Sequence, residues 1–235
     1  MNRRRVLAVV TIAAVGALGL TGCQQGPDTA AYVGNARLTT AQVDGMVKEF
    51  GAAQKSNDGK AGEAALSTQI VSSWVIAELG KDLAAEGKLS KPQVDLAATA
   101  EQFGLAENSQ LTRIIAEFKA YQAVIVKAPA VQPTDADYTE VLAKAVKLQA
   151  IPPQAQIADM RKALPPETLG SALGVRNLLL GAQDRHATDV NPKFGPIAYG
   201  VLQLQSGKGS LVDAPLGSAR SAVTDLPAVN PEPLS

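Results

Sequence analysis

The chain is poor in the residue types from which most active sites are built. Cysteine occurs once, at Cys23, histidine once, at His186, tryptophan once, at Trp74, and all aromatics together make up 4% of 235 residues. A single cysteine permits no internal disulfide in any compartment. A single histidine with scattered carboxylates gives no ligand cluster for a metal. A Ser-His-Asp triad would have to run through His186 with Asp184 or Asp189, and only three-dimensional geometry decides that; at the end of a helical stretch His186 reads as a solvated terminal residue. The charge balance of 22 basic against 22 acidic side chains lacks the basic excess of a nucleic-acid binder. "SGKGS" at 206–210 fails as a phosphate loop, because Leu202 stands where the leading glycine belongs and no helix is expected after it. No catalytic residue, metal, cofactor or nucleic-acid partner is therefore expected.

Long apolar runs are also scarce, with one exception at the start. Arg3, Arg4 and Arg5 precede a mostly apolar stretch from Val6 to Leu20, and small residues lead into Cys23. Charge, apolar run and small residues in that order read as a secretory signal peptide. The run is shorter than the ~20 residues a membrane-crossing helix needs. Leu20, Thr21, Gly22 and Cys23 resemble the cleavage and lipidation box of bacterial lipoproteins. That resemblance implies a diacylglycerol thioether on Cys23, cleavage before it, and a mature protein held by lipid on the outer face of the cell membrane. The alternative is a free cysteine in an ordinary cleaved leader. Two acyl chains hold a protein to a bilayer much more firmly than one, at ~0.8 kcal/mol per buried methylene.

Loss of residues 1–22 removes three arginines and no acid, which leaves a mature net charge of −3. Hydrophobic residues make up 46% of the chain, and with so few aromatics the core must rest on Ala, Leu, Val and Ile. Alanine is the best helix former, so the composition favours helix. After a lipidated cysteine and spacer at 23–30, a short extended piece with a Gly34-Asn35 turn precedes Thr39, which with Gln42 makes a capping-box pattern. Val43, Met46, Val47 and Phe50 follow at helical spacing. A longer helix is expected over about 64–86, with Leu66, Ile70, Trp74, Leu79 and Leu83 on one face and Gly87 as its stop.

Ser90 with Pro92 reads as the next helix start and Ser109 as the one after, leading into Leu111, Ile114, Ile115, Phe118, Tyr121 and Ile125. Trp74, Phe103, Phe118 and Tyr121 all read as core. Thr134 caps another helix, and Asp135 and Asp137 read as solvated first-turn carboxylates near the positive end of its dipole. Two shorter helices separated by Pro165 and Pro166 follow, then an extended segment over 197–204. The stretch 206–235, rich in Gly, Pro, Ala and Ser, reads as a poorly ordered tail whose loss should leave stability nearly unchanged.

This order of pieces resembles the chaperone portion of the SurA and PrsA families of secreted bacterial foldases. Val33, Gly34, Asn35, Leu38, Thr39, Val43 and Asp44 match their opening strand, turn and helix in outline. "LSTQIVSSWVIAELGKDLAAEGKLSKPQVD" over 66–95 follows the order of their next helices, "PTDADYTEVL" resembles the helix after the linker, and "VNPKFG" resembles a segment near the end of shorter lipoprotein relatives. The resemblance implies a mainly α, SurA-like helical domain over 31–205, closed by pairing of the strand near Tyr32 with the late strand near Tyr199. It implies a lipid-anchored chaperone or holdase for unfolded secreted clients, using an apolar groove between helices. The parvulin isomerase domain of those families commonly uses two histidines with a Cys or Asp, so prolyl isomerase activity is not expected. The rival reading is a non-catalytic envelope scaffold lipoprotein that holds one specific protein partner.

Overall fold

The computed structural model describes residues 28–54, 59–204 and 209–217. Cys23, the Leu20-Thr21-Gly22-Cys23 box and the leader lie outside the described residues, as do 218–235. Among the described residues the chain is mainly helical, with seven helices and two small antiparallel sheets.

Strands β1 (Thr29–Val33) and β2 (Ala36–Thr39) form a hairpin. Gly34, at φ +54°, supplies the left-handed residue of its turn, and Asn35 does not need to. Thr39 then caps α1 (Thr40–Gln54): the Gln42 N–H donates to Thr39 Oγ1 at 3.2 Å, and the Thr39 N–H donates to Gln42 Oε1 at 2.8 Å. This is the reciprocal box read from the sequence.

Helix α2 (Gly59–Ala85, 27 residues) is the spine, ~40 Å long at 1.5 Å per residue. Ile70, Val71, Trp74, Val75, Ile76, Ala77, Leu79 and Leu83 are all buried, so its middle is covered on nearly every side. Gly87, at φ +71°, ends it, with the Lys88 N–H bonding back to the Leu83 carbonyl at 2.9 Å. The next helix does not start at Ser90. Residues 90–95 run non-helically past Pro92, which biases Lys91 away from helical angles, and Asp95 caps α3 (Leu96–Phe103) by accepting from the Ala98 N–H at 2.9 Å. Ser109 caps α4 (Gln110–Ile125) as expected, accepting from the Thr112 N–H at 3.0 Å. Helix α4 lies along α2, where Gly80 makes room for a ring: a Cβ there would stand 2.5 Å from Tyr121 Cγ.

Helices α5 (Asp135–Lys147) and α6 (Ile157–Ala163) build a second core with the first half of α7 (Pro166–Arg185), centred on Tyr138, Met160, Leu169 and Leu173. Gly170 and Gly174 of α7 let the carbonyls of Val131 and Pro129 pack where a Cβ would otherwise project. The linker before α5 is thereby pressed onto α7.

The strand pairing differs from the expectation in two ways. Tyr32 does not meet the strand of Tyr199. The free edge of β1 is taken by β3 (Thr188–Val190), directly after α7, with Tyr32 opposite Asp189. The second difference concerns the expected tail: β4 (Ile197–Gln203) pairs with β5 (Ser210–Leu216), so the folded domain does not end at 205. The physical cause is alternation. Val212, Ala214 and Leu216 point inward at period two and are buried, and Pro215 shows that a proline within a two-stranded ribbon does not prevent a strand. With β5 available, β4 satisfies its backbone groups locally and leaves β1 to β3. The end of β5 then packs on β3, and the Gly217 N–H donates to the Gln183 carboxamide of α7 at 2.9 Å.

Leu216 is 1% exposed, so Leu216→Ala should cost about 2–5 kcal/mol. Thermal unfolding should shift down by several degrees, since each kcal/mol moves Tm by ~2–4 °C in a domain of this size. An unchanged Tm would restore the reading of 206–235 as a dispensable tail.

Candidate apolar binding groove

Where α1 and α3 approach α2 and α4, the helices do not close completely. A groove of about 170 Å³ remains between them. Leu111 and Ile114 of α4 and Ile70 of α2 are buried and form its floor. Phe50 at the end of α1, Leu66 of α2, Phe103 at the end of α3, and Ile115 and Phe118 of α4 are half-buried and form its walls. Three of the four phenylalanines in the chain thus face one opening.

Polar groups fix the edges. The Gln54 side-chain amide donates to the Phe103 carbonyl at 2.9 Å, tying the ends of α1 and α3 together at one side. Exposed Lys119 is the one charged residue lining the groove; its ammonium donates to Gln102 Oε1 at 2.6 Å and lies 6.0 Å from the centroid of the Phe103 ring. The volume matches about six waters at 30 Å³ each and is below the ~300 Å³ at which pockets for small ligands begin. Such a hollow takes one apolar side chain. Its lining is apolar apart from Gln69, Ser73 and Lys119 and contains no carboxylate, imidazole or thiol.

The aromatics were expected to be core, and here they divide. Trp74 and Tyr121 are 6% exposed and belong to the core. Phe103 and Phe118 do not, and Phe118 makes an edge-on contact with Tyr199 at 6.4 Å between centroids while its other side faces the groove. The sequence carried a signal for Phe103 and Ile115 but none for Phe118. At 100° per residue Leu111, Ile114, Ile115, Phe118, Tyr121 and Ile125 cover roughly 120° of α4, with Ile115 at one limit and Phe118 at the centre, and Phe103 is the last residue before the stop at Gly104. Residues at such margins are covered on one side only.

His186 caps the end of α7 and lies beside the end of α2. Its Nε2 is 2.5 Å from Glu86 Oε1 and its Nδ1 is 3.3 Å from Asp82 Oδ2. Both ring nitrogens thus face carboxylates, so neither is placed to take a proton from a serine. The two acids engage opposite edges of the ring and do not converge on one point. Among the described residues no group of three His, Cys, Asp or Glu side chains forms a metal site. Arg185 and Lys88 complete the cluster on Glu86, at 3.2 and 2.9 Å. Hydrogen bonds from Lys88, His186 and Arg185 pull the Glu86 carboxyl down from 4.5 to about 2.

Of the first-turn acids of α5, Asp135 is solvated as expected, with its side chain 79% exposed, whereas Asp137 is engaged. Asp137 completes a capping box with Thr134 and lies 3.5 Å from Arg176 of α7, while Asp135 pairs with Arg161 of α6. Burial raises the Asp137 carboxyl, but the Thr134 hydroxyl, the Thr134 N–H and the Arg176 charge outweigh it, leaving the group below its ordinary value. These acids join α5 to α6 and α7 and flank no cavity with a nucleophile.

Comparison with family models, curated proteins and solved structures returns no match to this chain. No helix among the described residues is long and apolar enough to cross a membrane.

Glu86 gives a pH signature with a fixed sign. A carboxyl held below its unfolded value stabilises the fold above about pH 4.5, and that contribution is lost as pH falls toward about 2. Glu86→Gln should lower Tm at neutral pH, and the gap to the parent should close between those limits. A gap that stays constant down to pH 2 would show that the cluster does not depend on the charge of Glu86.

Proposed function

We propose that the chain is a lipid-anchored extracytoplasmic holdase that binds unfolded secreted proteins through the groove between α1, α2, α3 and α4, without a chemical step. The observation that carries the reading is the gathering of Phe50, Phe103 and Phe118 at one half-open hollow in an aromatic-poor chain. A free-standing apolar opening of this kind is what a client side chain requires. The lipoprotein-like start of the sequence supports a place outside the membrane, and the resemblance of the element order to SurA and PrsA proteins supports the client class.

Magnitudes limit how tightly such a groove holds. Burying one Leu or Phe side chain contributes about 1.5–3 kcal/mol, a factor of about ten to a hundred in affinity. One hollow therefore gives weak, rapidly exchanging contacts, which suit clients of varied sequence. The compactness of the hollow, with Lys119 at its rim, favours a second reading: a dedicated envelope partner that inserts one apolar anchor beside an acid.

Light scattering of a chemically denatured protein diluted with and without this protein separates the two. A holdase suppresses aggregation near stoichiometric ratio, and Phe103→Ser with Ile115→Ser should abolish the effect while shifting Tm little, because both side chains are only half-buried. Unsuppressed aggregation would leave the dedicated partner as the reading. For the anchor, Cys23→Ala should release the protein from the membrane fraction or leave the precursor uncleaved; undiminished lipid labelling of that variant would end the argument for Cys23.

A further inference from the structure

The groove takes one side chain, and its lining also indicates what stands beside that side chain. The apolar surface around about 170 Å³ is broken by Gln69, Ser73 and Lys119, of which only Lys119 carries a charge. Lys119 follows the wall residue Ile115 by four positions on α4, so the two lie one above the other on the same margin of that helix. The Lys119 ammonium stands 6.0 Å from the centroid of the Phe103 ring, which forms another part of the wall. The cation therefore sits at the mouth of the hollow.

An ammonium has three N–H donors. One goes to neutral Gln102 Oε1 at 2.6 Å, and among the described residues no carboxylate pairs with Lys119. Lys81 of α2 is the contrast, since it bridges Glu78 and Glu117 at 2.9 and 2.7 Å. The occupant that complements the site is an apolar side chain with a carboxylate next to it. In an extended chain the side chains of adjacent residues point to opposite faces, so an Asp or Glu next to the anchor points away from the hollow. The last residue of a chain meets no such restriction, because its carboxylate and its side chain leave the same Cα atom.

We propose that the groove captures the carboxyl-terminal residue of another protein chain when that residue is apolar, with its side chain in the hollow and its terminal carboxylate on Lys119. The capture rests on the groove being the place where protein ligands bind, and it adds which part of the ligand enters. The side chain sets the affinity, about tenfold to a hundredfold over a terminal glycine. The carboxylate sets the selectivity, since an exposed ion pair contributes about threefold to fivefold at low salt. Only a chain whose end is free of its own fold can dock in this way.

The test titrates the full chain with acetyl-Gly-Ser-Gly-Leu bearing a free carboxylate and with the same peptide ending in a carboxamide, and follows the backbone amide NMR signals of residues 103–119. The free acid should bind about threefold to fivefold more tightly than the carboxamide at low salt, and added salt should shrink the difference. Lys119→Gln should bring the acid down to the affinity of the carboxamide, and Lys119→Arg should keep the two apart. Phe103→Ser with Ile115→Ser should weaken both peptides together, by about tenfold. Equal affinity of acid and carboxamide in the parent would overturn the proposal and leave the groove as a binding site. A carboxamide peptide with Asp two residues before its Leu that binds as tightly as the free acid would also overturn it, by assigning Lys119 to a side-chain carboxylate. Binding of neither peptide at millimolar concentration, or binding that the two serine substitutions do not weaken, would remove the groove itself and the proposed function with it. Preference for the free acid without suppression of aggregation would keep the capture and end the holdase reading.

Discussion

Helix α2 is apolar on nearly every side between Ile70 and Leu83, and a helix of that kind must be surrounded. The rest of the molecule follows from that requirement. Helix α4 covers one side, close enough that Gly80 must lack a side chain to admit the Tyr121 ring. Helix α1 and the β1–β2 hairpin cover another, and the second half of α7 brings Val175, Leu179 and Ala182 to the same core. The ion cluster of Asp82, Glu86, Arg185 and His186 joins the ends of α2 and α7 and so fixes where β3 begins.

Coverage of α2 is complete in its middle and incomplete nearer its start. From Leu66 to Ser73 the groove side of α2 meets the end of α1, the end of α3 and one face of α4, and two helix ends and one helix face leave a gap along it. The phenylalanines line that gap without filling it. In a chain whose interior is otherwise built from aliphatic side chains, large half-exposed rings at one opening are costly to leave facing water unless something binds there. The same incomplete packing that defines the groove sets its modest affinity.

The fold was largely legible because its signals are local. Caps at Thr39, Ser109 and Thr134, the stop at Gly87 and the break at Pro165 and Pro166 each act within a turn of the backbone they control. Ser90 misled because a good cap residue and a helix-compatible proline were both present, and only the side chain of Asp95 reached a helical N–H. Strand pairing was less legible. Whether β1 meets β3 or β4 depends on whether a distant segment, 210–216, supplies a partner, and its period-two pattern was hidden in a composition typical of tails. The groove was the least legible feature, since whether Phe103 and Phe118 belong to the interior or to an opening depends on how far four helices close. Cys23 stands at the other extreme: its reading rests on sequence order alone, and it lies outside the described residues.

The measurement that tests the account most directly is site-specific photocrosslinking to an unfolded client. A benzophenone side chain placed at Ile115, on the groove wall, is compared with one at exposed Lys162 on α6. The account predicts client adducts from position 115, competed by excess unlabelled unfolded protein, and few from position 162. Equal yields from both positions, or adducts mainly from 162, would contradict the groove as the place where this protein binds.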